Sequence, residues 1–221
     1  MTIDPRTAGQ LVDACAAAIV LLGVGLAATR SIGRAIWLVA LQSALTGVAA
    51  ISVGLATGAG HLVIGGLLAV GAKGVVVPFV LGSILRRSPV RQERHPLLGP
   101  HASLVAAVAI VFVASAAANG AFVGASVAAG RVLPAAIATV LTGLLIIMTR
   151  RKALSLVVGL LAFENGIALT AFALTYGMPF VVELGVLFDL LIAVVVAWVY
   201  ARRMLDVLGS TSTDELRSLR G

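Results

Sequence analysis

The fold class this sequence predicts is all-α, a polytopic bundle of seven transmembrane helices with the N-terminus outside and the C-terminus in the cytoplasm. Three observations predict it. Sixty per cent of the 221 residues are hydrophobic, only 11% are charged, and the mean hydropathy is +1.11. A water-soluble domain of this size has to cover itself with polar side chains, so that balance points to a bilayer as the solvent. Seven stretches approach or exceed the ~20 apolar residues that carry a helix across a hydrocarbon core. The basic residues, finally, alternate between loops in a way that only an odd number of crossings explains.

In chain order the spans run Ala8–Ala28, Ala35–Thr57, His61–Leu85, Ala102–Gly124, Val132–Thr149, Ala153–Tyr176 and Pro179–Ala201. Arg30 and Arg34 follow the first span, and Arg86, Arg87, Arg91 and Arg94 follow the third. Arg150, Arg151 and Lys152 follow the fifth, and Arg202, Arg203, Arg217 and Arg220 follow the seventh. The other side carries Arg6 and Arg131, while Lys73 lies within a span. The positive-inside rule assigns the crowded side to the cytoplasm. It also accounts for the net charge of +7 without nucleic acid, since no aromatic-interleaved basic groove accompanies these arginines.

The spans leave little outside them. The expectation is one transmembrane domain over 1–203 and a short cytoplasmic tail over 204–221. In the tail, Ser212-Thr213-Asp214-Glu215 fits a capping box opening a short helix, with a frayed terminus as the plainer alternative. A cleavable signal peptide is not expected, because Asp4 accompanies Arg6 ahead of an apolar stretch of full spanning length. The single cysteine, Cys15, excludes an internal disulfide, a self-contained iron–sulfur cluster or a four-cysteine nickel–iron site. His61, His95 and His101 fall at span ends or in loops, without zinc-type spacing. No metal or cofactor site is expected.

Four ionisable residues lie at or near membrane depth: Lys73, Glu164, Glu183 and Asp189. A charge at the centre of a membrane helix costs about 2.5–3.5 kcal/mol on insertion scales, so such residues usually face a polar interior and serve ions or protons. Glu164 stands at the middle of the sixth span. Burial there disfavours its ionised form and makes it a candidate for reversible protonation; the plain alternative is an acid that glues two helices. Asn165 and Gly166 follow it, one offering hydrogen bonds and the other close helix approach. Asp189 is near mid-membrane in the seventh span, whereas Glu183 lies closer to its outer end. Six residues at 100° each set them about 120° apart around the helix, so they need not share a face.

Lys73 is central to the third span, in Gly71-Ala72-Lys73-Gly74-Val75-Val76-Val77-Pro78. Pro78 has no N–H for the carbonyl of Gly74, and the flanking glycines tolerate a kink or bulge. Two roles suit such a lysine: a fixed counter-ion for a buried acid such as Glu164, or an active relay member. Gln42, Ser43 and Thr46 form a polar stripe on the second span, and Asn119 sits late in the fourth; such groups more often bond between helices than line a pathway. Gly54-x-x-x-Gly58 and Gly120-x-x-x-Gly124 permit tight crossings, and Asp13 reads as an interface residue.

The last two spans carry a resemblance. Phe163-Glu164-Asn165-Gly166, then Tyr176-Gly177-Met178-Pro179, then Val182-Glu183-Leu184-Gly185 and Asp189 resemble the membrane subunit hydrogenase-4 component E. The similarity is sharpest over 160–203 and loose before 60; Lys73 with Pro78 and the seven-span layout extend it. That family belongs to group-four nickel–iron hydrogenase assemblies related to complex I. Its C-terminal part is similar to the small K-type subunit of complex I and to the C subunit of multi-subunit sodium/proton antiporters. The resemblance implies antiporter-like membrane partners, with nickel–iron and iron–sulfur centres held on other subunits. It implies a proton path in which Glu164 matches the first of two glutamate stations. Glu183 and Asp189 both qualify for the second.

The sequence thus leads to a non-catalytic membrane-arm subunit of a hydrogenase-like complex, with Glu164, Asp189, Glu183 and Lys73 on a proton pathway and Asn165, Pro78 and Gly74 supporting it. The alternatives are a stand-alone proton-coupled transporter and a purely structural anchor. Transporters commonly carry internal repeats, and no convincing one is present.

Overall fold

A computed structural model describes residues 4–87, 92, 96–121 and 127–175, and among these every regular element is helical. The helices are α1 (Pro5–Ala28), α2 (Ile32–Thr57), α3 (Gly60–Leu68), a π-helical segment (Ala69–Val76), α4 (Val77–Arg87), α5 (Pro100–Ala121), α6 (Val127–Thr149) and α7 (Ala153–Thr175). α3, the π segment and α4 run on as one span. Six spans among the described residues are therefore long and apolar enough to cross a membrane. They agree with the first six expected from the sequence, with ends shifted by a few residues. The seventh, Pro179–Ala201, lies outside the described residues, together with Glu183, Asp189 and the tail.

Local chemistry fixes the ends. Pro5 opens α1, where a missing N–H costs nothing. Ser31 caps α2 by accepting from the backbone N–H of Arg34 at 3.4 Å. Gly58 ends α2 in the left-handed region (φ 71°), which a residue with a Cβ enters only under strain. The sequence left Gly54 and Gly58 as one possible crossing motif, but they do different work. Gly54 meets Val63 and the carbonyl of Ala59 in close packing, while Gly58 turns the chain.

Packing is built around α2, which touches α1, α3, the π segment, α4 and α7, while α6 and α7 make the most extensive pairing. Two apolar layers result. One joins Leu26, Ile36, Val39, Leu81, Ile146 and Leu161; the other joins Ala16, Ile19, Val132, Ala136 and Leu169. On α7, Leu161 and Leu169 belong to different layers, so Glu164 and Asn165 fall between them. Three hydroxyls of α6 are satisfied locally: Thr139, Thr142 and Thr149 each donate to the carbonyl four residues back. Large apolar side chains cover the outside instead, including Leu21, Trp37, Phe79, Phe112 and Met148, as lipid contact requires.

One end of the bundle is stitched together. Ser31 forms an antiparallel bridge with Gln92, the Leu97 N–H donates to Thr149 O at 2.9 Å, and Arg150 donates to Ala27 O at 2.6 Å. Arg30, Arg34, Arg86, Arg150, Arg151 and Lys152 all belong to this basic end. Arg150 is more than a topology anchor, because it is buried and its guanidinium caps a carbonyl in the last turn of α1.

Candidate functional site

Two ionisable residues at the centres of their spans meet. Lys73 Nζ donates to Glu164 Oε2 at 3.0 Å, with side-chain exposures of 9% and 12%. Lys73 is the central residue of the Gly60–Arg86 span, and Glu164 is the central residue of α7. The pair therefore sits near the midplane, between the two apolar layers.

Backbone geometry delivers the lysine there. The Val77 N–H reaches back five residues to Ala72 O, a π-type bond, and Pro78 has no N–H to offer Lys73 O in π register or Gly74 O in α register. The glycine- and proline-flanked distortion expected from the sequence is thus a full π segment, and Lys73 is its buried residue. This wide turn lies against α2 at Gly74, where an added Cβ would make ordinary contact with the Ala44 Cβ at 3.4 Å.

Four consecutive residues of α7 engage different neighbours. Phe163 packs on Gly143 of α6, Glu164 binds Lys73, Asn165 binds α2, and Gly166 packs on Val140 of α6. Steps of 100° account for this distribution, with Phe163 and Gly166 only about 60° apart on the α6 side. The α6 contacts are close: a Cβ on Gly143 would come within 2.5 Å of Phe163 N, and one on Gly166 within 2.5 Å of Val140 N. Sequence reading singled out Gly166 but not Gly143.

A neutral polar cluster flanks the ion pair. Asn165 Nδ2 donates to Ser43 Oγ at 3.0 Å and lies 3.4 Å from Gln42 Oε1, and the Ser43 hydroxyl is 3.2 Å from Asn165 Oδ1. Gln42 Nε2 donates to Ile19 O at 3.1 Å, which draws α1 into the same layer. Gln42, Ser43 and Asn165 are all buried. The polar stripe on α2 therefore bonds between helices, apart from Thr46, which donates back to Gln42 O.

Of the residues named from the sequence, Lys73, Glu164, Asn165 and Gly74 come together in this layer, with the buried Pro78 one turn beyond. Asp13 stands apart, about 9 Å along α1 from Ile19 towards the far end and half-buried. The side chain of Asn119 lies outside the described residues. Among the described residues no three His, Cys, Asp or Glu side chains gather into a cluster that could hold a metal. Chemically, the arrangement holds an amine and a carboxyl side chain in hydrogen-bond contact between two apolar layers.

No family model matches the chain, and no solved structure matches it. Among curated proteins it is 27% identical over 149 residues to hydrogenase-4 component E of Escherichia coli K12, covering 67% of this chain and 69% of that protein. The same figures hold for hydrogenase-4 component E of Shigella flexneri. The link to that family is distant. A higher likeness, 31% over 211 residues, covers 95% of this chain and 96% of an uncharacterized protein, Rv0085, of Mycobacterium tuberculosis. On that near full-length match, this chain belongs to the family of the Mycobacterium tuberculosis protein Rv0085.

Proposed function

We propose that this protein is a non-catalytic membrane-arm subunit of a hydrogenase-4-like redox complex, in which the Lys73–Glu164 pair is a proton station. The observation that carries the reading is the 3.0 Å contact between two ionisable side chains at the centres of their spans. An ion pair is a poor way to stabilise a bundle, since desolvation offsets most of its attraction and apolar packing serves as well. Its use lies in its two states. With Glu164 ionised, the lysine is held. When a proton reaches the carboxylate, the attraction between full charges is lost and Lys73 is released.

Glu183 and Asp189 on the following span are the candidates for the next station. Redox centres sit on partner subunits, and antiporter-like subunits continue the path. The chain lies in the cytoplasmic membrane of a prokaryote with its basic end inside. The distant likeness to hydrogenase-4 component E supports this setting.

The test is Glu164→Gln in the assembled complex in membrane vesicles. Subunits should co-purify in normal ratio, while redox-driven proton translocation falls at least tenfold. Unchanged pumping in a correctly assembled complex rules out the station. Purification in mild detergent separates this reading from a stand-alone transporter, which would stay active alone.

A further inference from the structure

A groove runs along α2 from the basic end of the bundle. It has a volume of about 480 Å³ and is lined, among the described residues, by Arg34, Trp37, Leu41 and Ala44 of α2 and by Gly74 of the π segment. Arg34 is exposed at the basic end, and Leu85 packs at the position of a Gly33 Cβ (3.5 Å), which brings Arg86 into the same layer. Trp37 is 73% exposed one turn inside Arg34, at the depth where indoles mark the membrane–water interface.

From Arg34 to Ala44 the groove is about 15 Å long, at 1.5 Å per residue. That is half of a hydrocarbon core about 30 Å thick. It goes no further, because one turn on α2 and α3 meet backbone to backbone: a Cβ on Gly47 would lie 2.6 Å from Gly66 O. Past that point the surface exposes Val48 and Leu67 but is no longer grooved. A phospholipid chain needs one leaflet's depth and a headgroup anchor, and Arg34 at this level supplies the charge that attracts an anionic headgroup.

We propose that this groove binds one anionic phospholipid, its phosphate on Arg34 and one acyl chain along Trp37 and Leu41 to Ala44 and Gly74. The chain end then rests on the residue next to Lys73 and backs the π segment from the lipid side. The inference does not depend on proton transfer.

The test is lipid retention. Protein is purified from membranes containing phosphatidylglycerol and phosphatidylethanolamine, delipidated with detergent, and its bound lipid measured by native mass spectrometry. Wild type should keep about one phosphatidylglycerol per chain. Arg34→Gln should lower retention at least fivefold, as should Ala44→Phe, which fills the floor of the groove. Arg151→Gln, at the same end but off the groove, should leave it unchanged. Equal losses in Arg34→Gln and Arg151→Gln would mean diffuse charge attraction and overturn the site. So would unchanged lipid in Arg34→Gln together with weakened co-purification of other membrane subunits, which would identify the occupant as protein. Ala44→Phe also tests the acyl path, and a properly folded Ala44→Phe protein with full retention refutes it.

Discussion

Removing one member of the Lys73–Glu164 pair should cost far more than removing both. At 3.0 Å and an effective dielectric constant near 20, the direct attraction is about 5 kcal/mol. Taking two charges out of water offsets much of it, so the pair's net contribution is small, but stranding one charge is expensive, about 3–5 kcal/mol. Glu164→Gln, which leaves the lysine, and Lys73→Met, which leaves the acid, should therefore each destabilise the bundle by about 3–5 kcal/mol. The double variant, with nothing left to ionise, should lose only about 1–2 kcal/mol. Reversible unfolding of the four proteins in mixed detergent micelles measures all of this. Single losses that simply add in the double variant, to within about 0.5 kcal/mol, would refute the coupling.

Three further outcomes follow from the packing. Asn165→Leu removes the donor to Ser43 and Gln42 and leaves both buried groups short of a partner, so a loss of about 1–3 kcal/mol is expected in the same unfolding assay. Gly166→Ala drives a methyl into the α6 backbone at Val140 and should cost about 1–3 kcal/mol, whereas Gly82→Ala, with nothing within 4 Å, should be neutral or stabilising by up to about 1 kcal/mol. Arg150→Ala takes a charge-assisted bond from the last turn of α1 and should raise hydrogen exchange there more than at the start of α1, with a loss of about 1.5–3 kcal/mol.

How much of this was legible in the sequence depends on the physical quantity involved. Depth was: the contrast between one ionisable residue and some twenty apolar ones locates Lys73 and Glu164 along their spans. Azimuth was not. Sequence left Lys73 with several possible acids, because which faces of two distant spans meet is set by packing through α2. Pro78 and the glycines marked a distorted turn near Lys73, yet the choice of a π turn depends on which carbonyl Val77 finds. The stripe Gln42–Ser43 was visible, but its partner Asn165 lies 122 residues from Ser43. Gly143 was lost among 24 glycines, since nothing local separates a glycine that admits a neighbour's backbone from one that faces lipid. Arg150 looked like its loop neighbours Arg151 and Lys152, although only the first of the three is buried.

The central position of the pair has an electrical consequence. A charge moved across the whole bilayer exchanges about 2.3 kcal/mol with a potential of 100 mV, so one that stops at the midplane exchanges about half, near 1.2 kcal/mol. Any proton that reaches Glu164 thus climbs or descends half the membrane voltage, whichever side it comes from. A change of 100 mV alters its arrival roughly sevenfold. As the proton station proposed above, the pair would by placement act as a voltmeter, its occupancy following the energised state of the membrane even at constant pH.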